Sequence, residues 1–211
     1  MHLGFGLLDI LGGHDRVFGL ARIFDVRREG NLPTFFSALT LLAAGIVAAA
    51  IAATYRRLRS LHAATWSWIT AALVFAAVDE AVQVHELLSP PLRRTLGAGG
   101  PLYFAWVVPY GVVAVVGTLL AVPALRALGR EPRYCVLVGM ALMFTGAVGV
   151  EMLQGDLWSR AGAASSATLL NFGLATCEEA FELTGSAYLL RGLLAGLCER
   201  LGGHPVRLGL G

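Results

Sequence analysis

From residue 34 onward the chain alternates long apolar runs with short polar turns. A helix needs about 20 apolar residues, at about 1.5 Å each, to cross roughly 30 Å of hydrocarbon. Five runs reach that length, at about residues 34–55, 65–88, 101–125, 134–153 and 166–194. The pattern predicts an all-α, polytopic membrane helix bundle of about five transmembrane helices over residues 34–196, with no internal repeat and no second domain. The first run opens with "NLPTFFS", where Pro33 ends an extended stretch and Asn31 or Thr34 can cap the helix. The stretch "SPPLRRTLGAGGP", residues 89–101, reads as a loop between the second and third spans. Ahead of the bundle, residues 1–33 repeat apolar positions at helical spacing around Arg16 and Arg22, which predicts an interfacial amphipathic segment. That segment has no basic n-region and its apolar run is interrupted, so it does not read as a cleaved signal. Residues 197–211 are expected to form a cytoplasmic tail.

Composition reinforces the membrane reading. The chain is 56% hydrophobic and 14% charged, where a soluble domain carries about 25% charged residues. All sixteen basic residues are Arg, which with the Ala and Gly content points to a GC-rich bacterial genome and to the bacterial inner membrane. Arg56, Arg57 and Arg59 follow the first span and Arg126, Arg130 and Arg133 the third, against Arg93, Arg94 and Arg160 in the alternate loops. The positive-inside rule then places the N-terminus outside and the C-terminus in the cytoplasm. Trp66, Trp68, Tyr103, Trp106, Tyr134 and Trp158 fall near expected span ends. Cys135, Cys177 and Cys198 form no CxxC pair and read as small core-filling thiols.

The acids are out of place for such a chain. Of fourteen Asp and Glu, seven lie within expected spans: Asp79, Glu80, Glu86, Glu151, Glu178, Glu179 and Glu182. Each ionised group costs about 2.5–3.5 kcal/mol at a helix centre on insertion scales, so something must neutralise them. In a continuous helix Asp79, Gln83 and Glu86 lie within about 60° of one another, and Asn171, Glu178, Glu182 and Ser186 within about 80°. Glu151 and Gln154, three apart, can share a face as well. Polar stripes from three helices must face one interior, because none can face lipid. By rise per residue, Glu86 and Glu151 lie within about 5 Å of the outer edge and Asp79 and Glu178 about 15 Å deep. An acidic pocket open to the outer face is expected.

Protons or a metal ion can neutralise such a pocket. Carboxylates with an imidazole suit iron, manganese or zinc, and an all-oxygen set suits calcium. The expected divalent metal ligands are Asp79, Glu86, Glu151, Glu178, Glu182 and His85, with Glu80, Glu179, Gln83 and Asn171 behind them. His85 lies about 100° from Glu86 on a regular helix, so it reaches the site only near a helix end or through a local irregularity. No Glu-x-x-His occurs, which disfavours a ferritin-like di-iron centre. His2, His14, His62 and His204 lie outside the spans, and His14 reads as a solvated interfacial residue.

A pocket that binds a divalent metal is the leading expectation, and if it does, an enzyme acting on a membrane-embedded or periplasmic substrate is a reasonable function. The alternatives are a proton- or cation-coupled transporter and a non-catalytic accessory subunit of a larger membrane complex. Against transport, no polar stripe continues beyond Ser186 and Tyr188 and no inverted repeat is visible. For a subunit, or a homo-oligomer, the small residues of the first and third spans allow close helix approach. The lipid bilayer is the expected partner, and no basic stripe supports nucleic-acid binding. The chain has no GxSxG, HExxH, Walker A or HxxxH motif, and "LGAGG" reads as a flexible loop rather than a phosphate cradle.

The segments "GNLPTFFSAL", "VDEAVQVHE" and "CEEAFELTG" resemble a widespread group of bacterial multi-span proteins. That group carries an N-x-P-T-x-x-S start to the first span, a D-E-x-x-x-x-H-E helix and an acidic last span. The likeness runs from about residue 25 to 195. It implies that these segments belong together, and it implies no activity.

Overall fold

The computed structural model describes residues 30–162, 164 and 168–202. Most of the expected interfacial segment at residues 1–33, with His2 and His14, lies outside the described residues, as does the tail from residue 203 with His204. Among the described residues every regular element is helical.

Helix α1 (Leu32–Arg57) begins where the sequence marks a start. Asn31 is extended at its N-cap, its side chain accepts from the Thr34 N–H at 2.9 Å, and Pro33 sits in the first turn. Helix α2 (His62–Val82) ends at Gln83, which is left-handed at φ 62°, ψ 43°, and α3 (Val84–Leu96) starts immediately after it. The expected single helix over residues 65–88 is therefore two helices meeting at a break.

The expected loop at residues 89–101 is a second correction. Pro90 and Pro91 lie inside α3, which runs on to Gly97, itself left-handed at φ 61°. Proline removes an N–H but supplies a helical φ. Glu86 and Leu87, the residues four positions before the two prolines, are both exposed. Arg93 pins the far half of α3, its guanidinium lying 4.0 Å from the Tyr103 ring centroid.

A 3₁₀ turn (Gly100–Leu102) leads to α4 (Val107–Arg126), later than the expected start at residue 101. Next, α5 (Arg130–Phe144), a π-helical segment (Thr145–Val150) and α6 (Glu151–Ala161) follow without interruption as one rod of 32 residues. Last comes α7 (Leu169–Arg200), also of 32 residues, capped by the Thr168 side chain. It absorbs residues 197–200, which the sequence assigned to the tail.

Helices α1, α2, α4 and the α5–α6 rod are long and apolar enough to cross a membrane. At about 1.5 Å per residue α7 extends about 48 Å, but Glu178, Glu179 and Glu182 interrupt its apolar character. The closest packing joins α1 to α2, α5 to α7, and α1 to α7, while α4 packs extensively only on α2. The core is built of Leu41, Ala44, Ala48 and Ile51 from α1 against Trp66, Leu125, Val136 and Leu193 of its neighbours. Helices α5 and α7 touch backbone to backbone: a Cβ on Gly139 would stand 2.7 Å from the Gly185 carbonyl oxygen, and one on Gly185 2.8 Å from that of Gly139.

Arg200 lies 4.2 Å from the Tyr55 ring centroid and donates to the Ala127 carbonyl at 2.8 Å. These contacts gather the C-terminal ends of α1, α4 and α7 at one end of the bundle, where Arg56, Arg57, Arg126 and Arg130 also lie. The break at Gln83, α3 and α6 belong to the opposite end.

Candidate functional site: an acidic and aromatic cavity

A cavity of about 1020 Å³ lies toward the α3–α6 end. All seven acids expected within spans line it, together with His85, Gln83, Gln154 and Asn171. Their arrangement differs from one set of ligands converging on a point.

The first group forms across the Gln83 break. Asp79, buried at 8% exposure, receives the His85 backbone N–H at 3.0 Å and the Tyr110 hydroxyl at 3.0 Å on Oδ1, and the His85 ring Nδ1 at 2.9 Å on Oδ2. On an unbroken helix Asp79 and His85, six apart, would point about 120° away from each other. The left-handed residue between them turns α3 so that its first-turn N–H and the imidazole both meet the carboxylate. This is the irregularity His85 needed. It also dissolves the expected Asp79–Gln83–Glu86 stripe, because the helical phase is lost at Gln83.

The second group lies on α6 and α7. Glu178 accepts from the Gln154 amide and meets the Glu151 carboxyl, with the Glu182 carboxyl near enough to act on it by charge. The π-helical segment just before Glu151 makes this possible. Its wide turns shift the helical phase of α6 relative to α5, and Gly146 lets it approach α7, a Cβ there standing 3.1 Å from the Glu178 carbonyl oxygen.

Trp106 bridges the two groups. Its ring lies 4.8 Å from the His85 ring, and its indole N–H donates to Glu151 at 3.1 Å. Tyr110, one turn on, packs against Trp106 at 5.1 Å and against Phe75 at 6.2 Å. The sequence placed Trp106 at an interface and missed both it and Tyr110 as site residues. Their i, i+4 spacing at the head of the third span was the signal that could have found them.

Glu179 has a different duty. Its Oε1 accepts from the Asn31 amide at 3.0 Å and the Thr34 hydroxyl at 3.0 Å, so the cap of α1 is tied to α7. Asn171, 4% exposed, sits in the cavity wall with its side-chain carbonyl oxygen buried and without a protein hydrogen-bond partner. Glu80 and Glu86 line the cavity beside the break. Among the described residues, no three His, Cys, Asp or Glu side chains stand grouped as they would around a metal ion.

The fold and this site define an all-helical protein with helices able to cross a membrane and an acidic, aromatic cavity among them. The chain belongs to the family described as a domain of unknown function, DUF8692, whose model matches residues 7–197. No curated protein and no solved structure matches the chain.

Proposed function

We propose that this is a bacterial inner-membrane protein that binds an organic cation inside the bilayer. The observation that carries this reading is the make-up of the cavity wall. Seven carboxyl-bearing residues alternate with the rings of Trp68, Phe75, Trp106 and Tyr110, and among the described lining residues there is no Arg or Lys. Acids of one sign facing ring faces attract a cation with an apolar body, through charge and through the ring quadrupole. The volume of about 1020 Å³ stands at the top of the range of roughly 300–1,000 Å³ found for small-molecule sites, far above the needs of a bare ion.

A divalent metal, iron, manganese, zinc or calcium, is the second reading. The closeness of Glu178 to Glu151 favours it, since adjacent carboxyls need a proton or a cation between them. In either case the Asp79–His85 pair orients an imidazole at the cavity wall, which is the equipment of a proton acceptor should the bound molecule react. We take α7 as the fifth span, its acids turned to the cavity and not to lipid, and the Arg-rich end as cytoplasmic, which leaves the cavity open on the outer side.

Thermal melts of protein in lipid nanodiscs test this. Tetraethylammonium should raise the melting midpoint, by about 2.7 kcal/mol of added stability at a hundredfold excess over its dissociation constant. A neutral ligand of the same shape should not. Equal stabilisation by the neutral ligand would defeat the cation reading, and stabilisation by one of the four metals with stoichiometric uptake would establish the second reading instead.

A further inference from the structure

A second cavity of about 220 Å³ lies between α2, α4, α5 and α7. Its walls are Trp66, Ile69, Leu73, Ala121, Val136, Met140 and similar groups, and no charged residue lines it. It adjoins the acidic cavity, and Leu41, Trp68, Ala72, Ala76, Val113 and Met143 line both. Protein interiors pack as densely as organic crystals. A dry apolar cavity of roughly 150 Å³ already takes up small hydrocarbons, so a space of this size and lining is not ordinary packing slack.

Its shape has a direction. Along α4 the lining runs from Val113 to Leu125, about 18 Å of helix axis, away from the acids and toward the Arg-rich end. Because α4 packs extensively only on α2, the seam between α4 and α5 is the weakly closed side of the bundle. A molecule that fills both spaces has a charged head among the acids and a hydrocarbon chain in the cleft. That is the orientation of an outer-leaflet lipid, drawn inward among the helices.

We infer that the ligand is a single-chain cationic amphiphile: an amine or quaternary ammonium head in the acidic cavity, and an alkyl or isoprenoid chain in the cleft of α2, α4, α5 and α7. This inference rests on the cation-binding reading of the acidic cavity and adds the chain. The acidic wall supplies the complement to the head, and the uncharged cleft that shares six of its lining residues supplies the place for the chain.

The four Trp residues line one cavity or the other, so their fluorescence reports occupancy directly. The probe is dodecyltrimethylammonium with a bromine on its chain, titrated into protein in nanodiscs, with ethyltrimethylammonium and dodecanol as competitors. Saturable quenching at one equivalent is expected, with the ethyl compound competing at least tenfold more weakly than an unbrominated dodecyl one. Gly117 lines the cleft, and a Cβ there would meet only the Trp68 indole nitrogen, at an unstrained 3.7 Å. Gly117→Leu should therefore fill the cleft without displacing backbone. In that variant the dodecyl affinity should fall to the ethyl value while the ethyl affinity stays unchanged.

Equal affinity for ethyl and dodecyl cations in the unaltered protein would overturn the chain inference and leave the cation reading standing. So would a Gly117→Leu variant that keeps full dodecyl affinity. Dodecanol competing as well as the cation would support the cleft and remove the charged head. Binding of none of the three would overturn both.

Discussion

Asp79 holds His85 twice, through the ring Nδ1 at 2.9 Å and through the backbone N–H at 3.0 Å, across a helix break at Gln83. One carboxylate thereby orients the imidazole and caps the first turn of α3. The Tyr110 hydroxyl adds a third donor from α4. Three helices thus meet at a single acid, and its removal tests more than a local bond. Asp79→Ala should cost about 1–3 kcal/mol, the penalty for leaving buried donors without an acceptor, and should expose α3 to limited proteolysis near Gln83 and Gly97. Asp79→Asn keeps one acceptor oxygen and should cost less. A melting midpoint for Asp79→Ala equal to that of the unaltered protein would contradict this account.

Glu179 ties the first described helix to the last. Its carboxylate accepts from Asn31 and Thr34, so the cap of α1 closes only when α7 is in place. Glu179→Ala and Thr34→Val should each destabilise, by about 1–3 kcal/mol, and should be non-additive. In a double-mutant cycle the coupling should be about 0.5–3 kcal/mol, as for residues in one hydrogen-bond network. Additive losses would mean that the two side chains stabilise the fold separately.

The sequence disclosed the all-helical, apolar character of the chain, the cap at Asn31 and the acids that turn inward, because period, capping chemistry and the cost of charge in lipid are local or one-dimensional signals. It did not disclose the breaks. Gln83 adopts a left-handed φ without being Gly, Asn or Asp, and nothing in "DEAVQVHE" marks that residue over its neighbours. The π-helical segment at Thr145–Val150 is equally silent in a run of small apolar residues. Pro90 and Pro91 misled in the opposite direction, since consecutive prolines usually stop a helix and here do not. The two irregularities decide which acids meet. The sequence therefore pointed to a common pocket and to its members, but grouped them as one ligand set where the structure has an Asp79–His85–Tyr110 group and a Glu151–Glu178–Gln154 group joined by Trp106.

The contact of α5 and α7 predicts a sharp positional contrast among glycines. A Cβ on Gly185 would lie 2.6 Å from the Met143 side chain and 2.8 Å from the Gly139 carbonyl oxygen, whereas one on Gly173, on the same helix, would meet nothing within 4 Å. Gly185→Leu must push the two helices apart and should abolish a monodisperse particle in mild detergent. Gly173→Ala should leave the particle intact and stabilise α7 by about 0.5–1 kcal/mol, the helix preference of Ala over Gly. Similar behaviour of the two variants would show that the close approach contributes nothing to assembly.

Glu178 is the acid on which the choice between the two groups can be decided. Its carboxyl meets Glu151 and accepts from the Gln154 amide, so Glu178→Gln removes a group that can ionise against a bound cation while keeping the shape of the site. Gln154 can turn its amide to meet the new side chain, and the fold should survive, with a melting midpoint close to the original. Cation binding should not survive unchanged. A charge 4–8 Å from a bound cation contributes about 2–4 kcal/mol at an effective dielectric constant of roughly 20. At about 1.4 kcal/mol per decade that is at least a tenfold loss of tetraethylammonium affinity. Trp106→Phe is the companion measurement. It keeps a ring against His85 and takes away the indole donor that occupies Glu151, so Glu151 gains freedom to face the ligand and affinity should hold or rise. A cation held by the α6–α7 acids requires both results. Loss of affinity in Trp106→Phe with none in Glu178→Gln would move the cation to Asp79 and the ring that covers it.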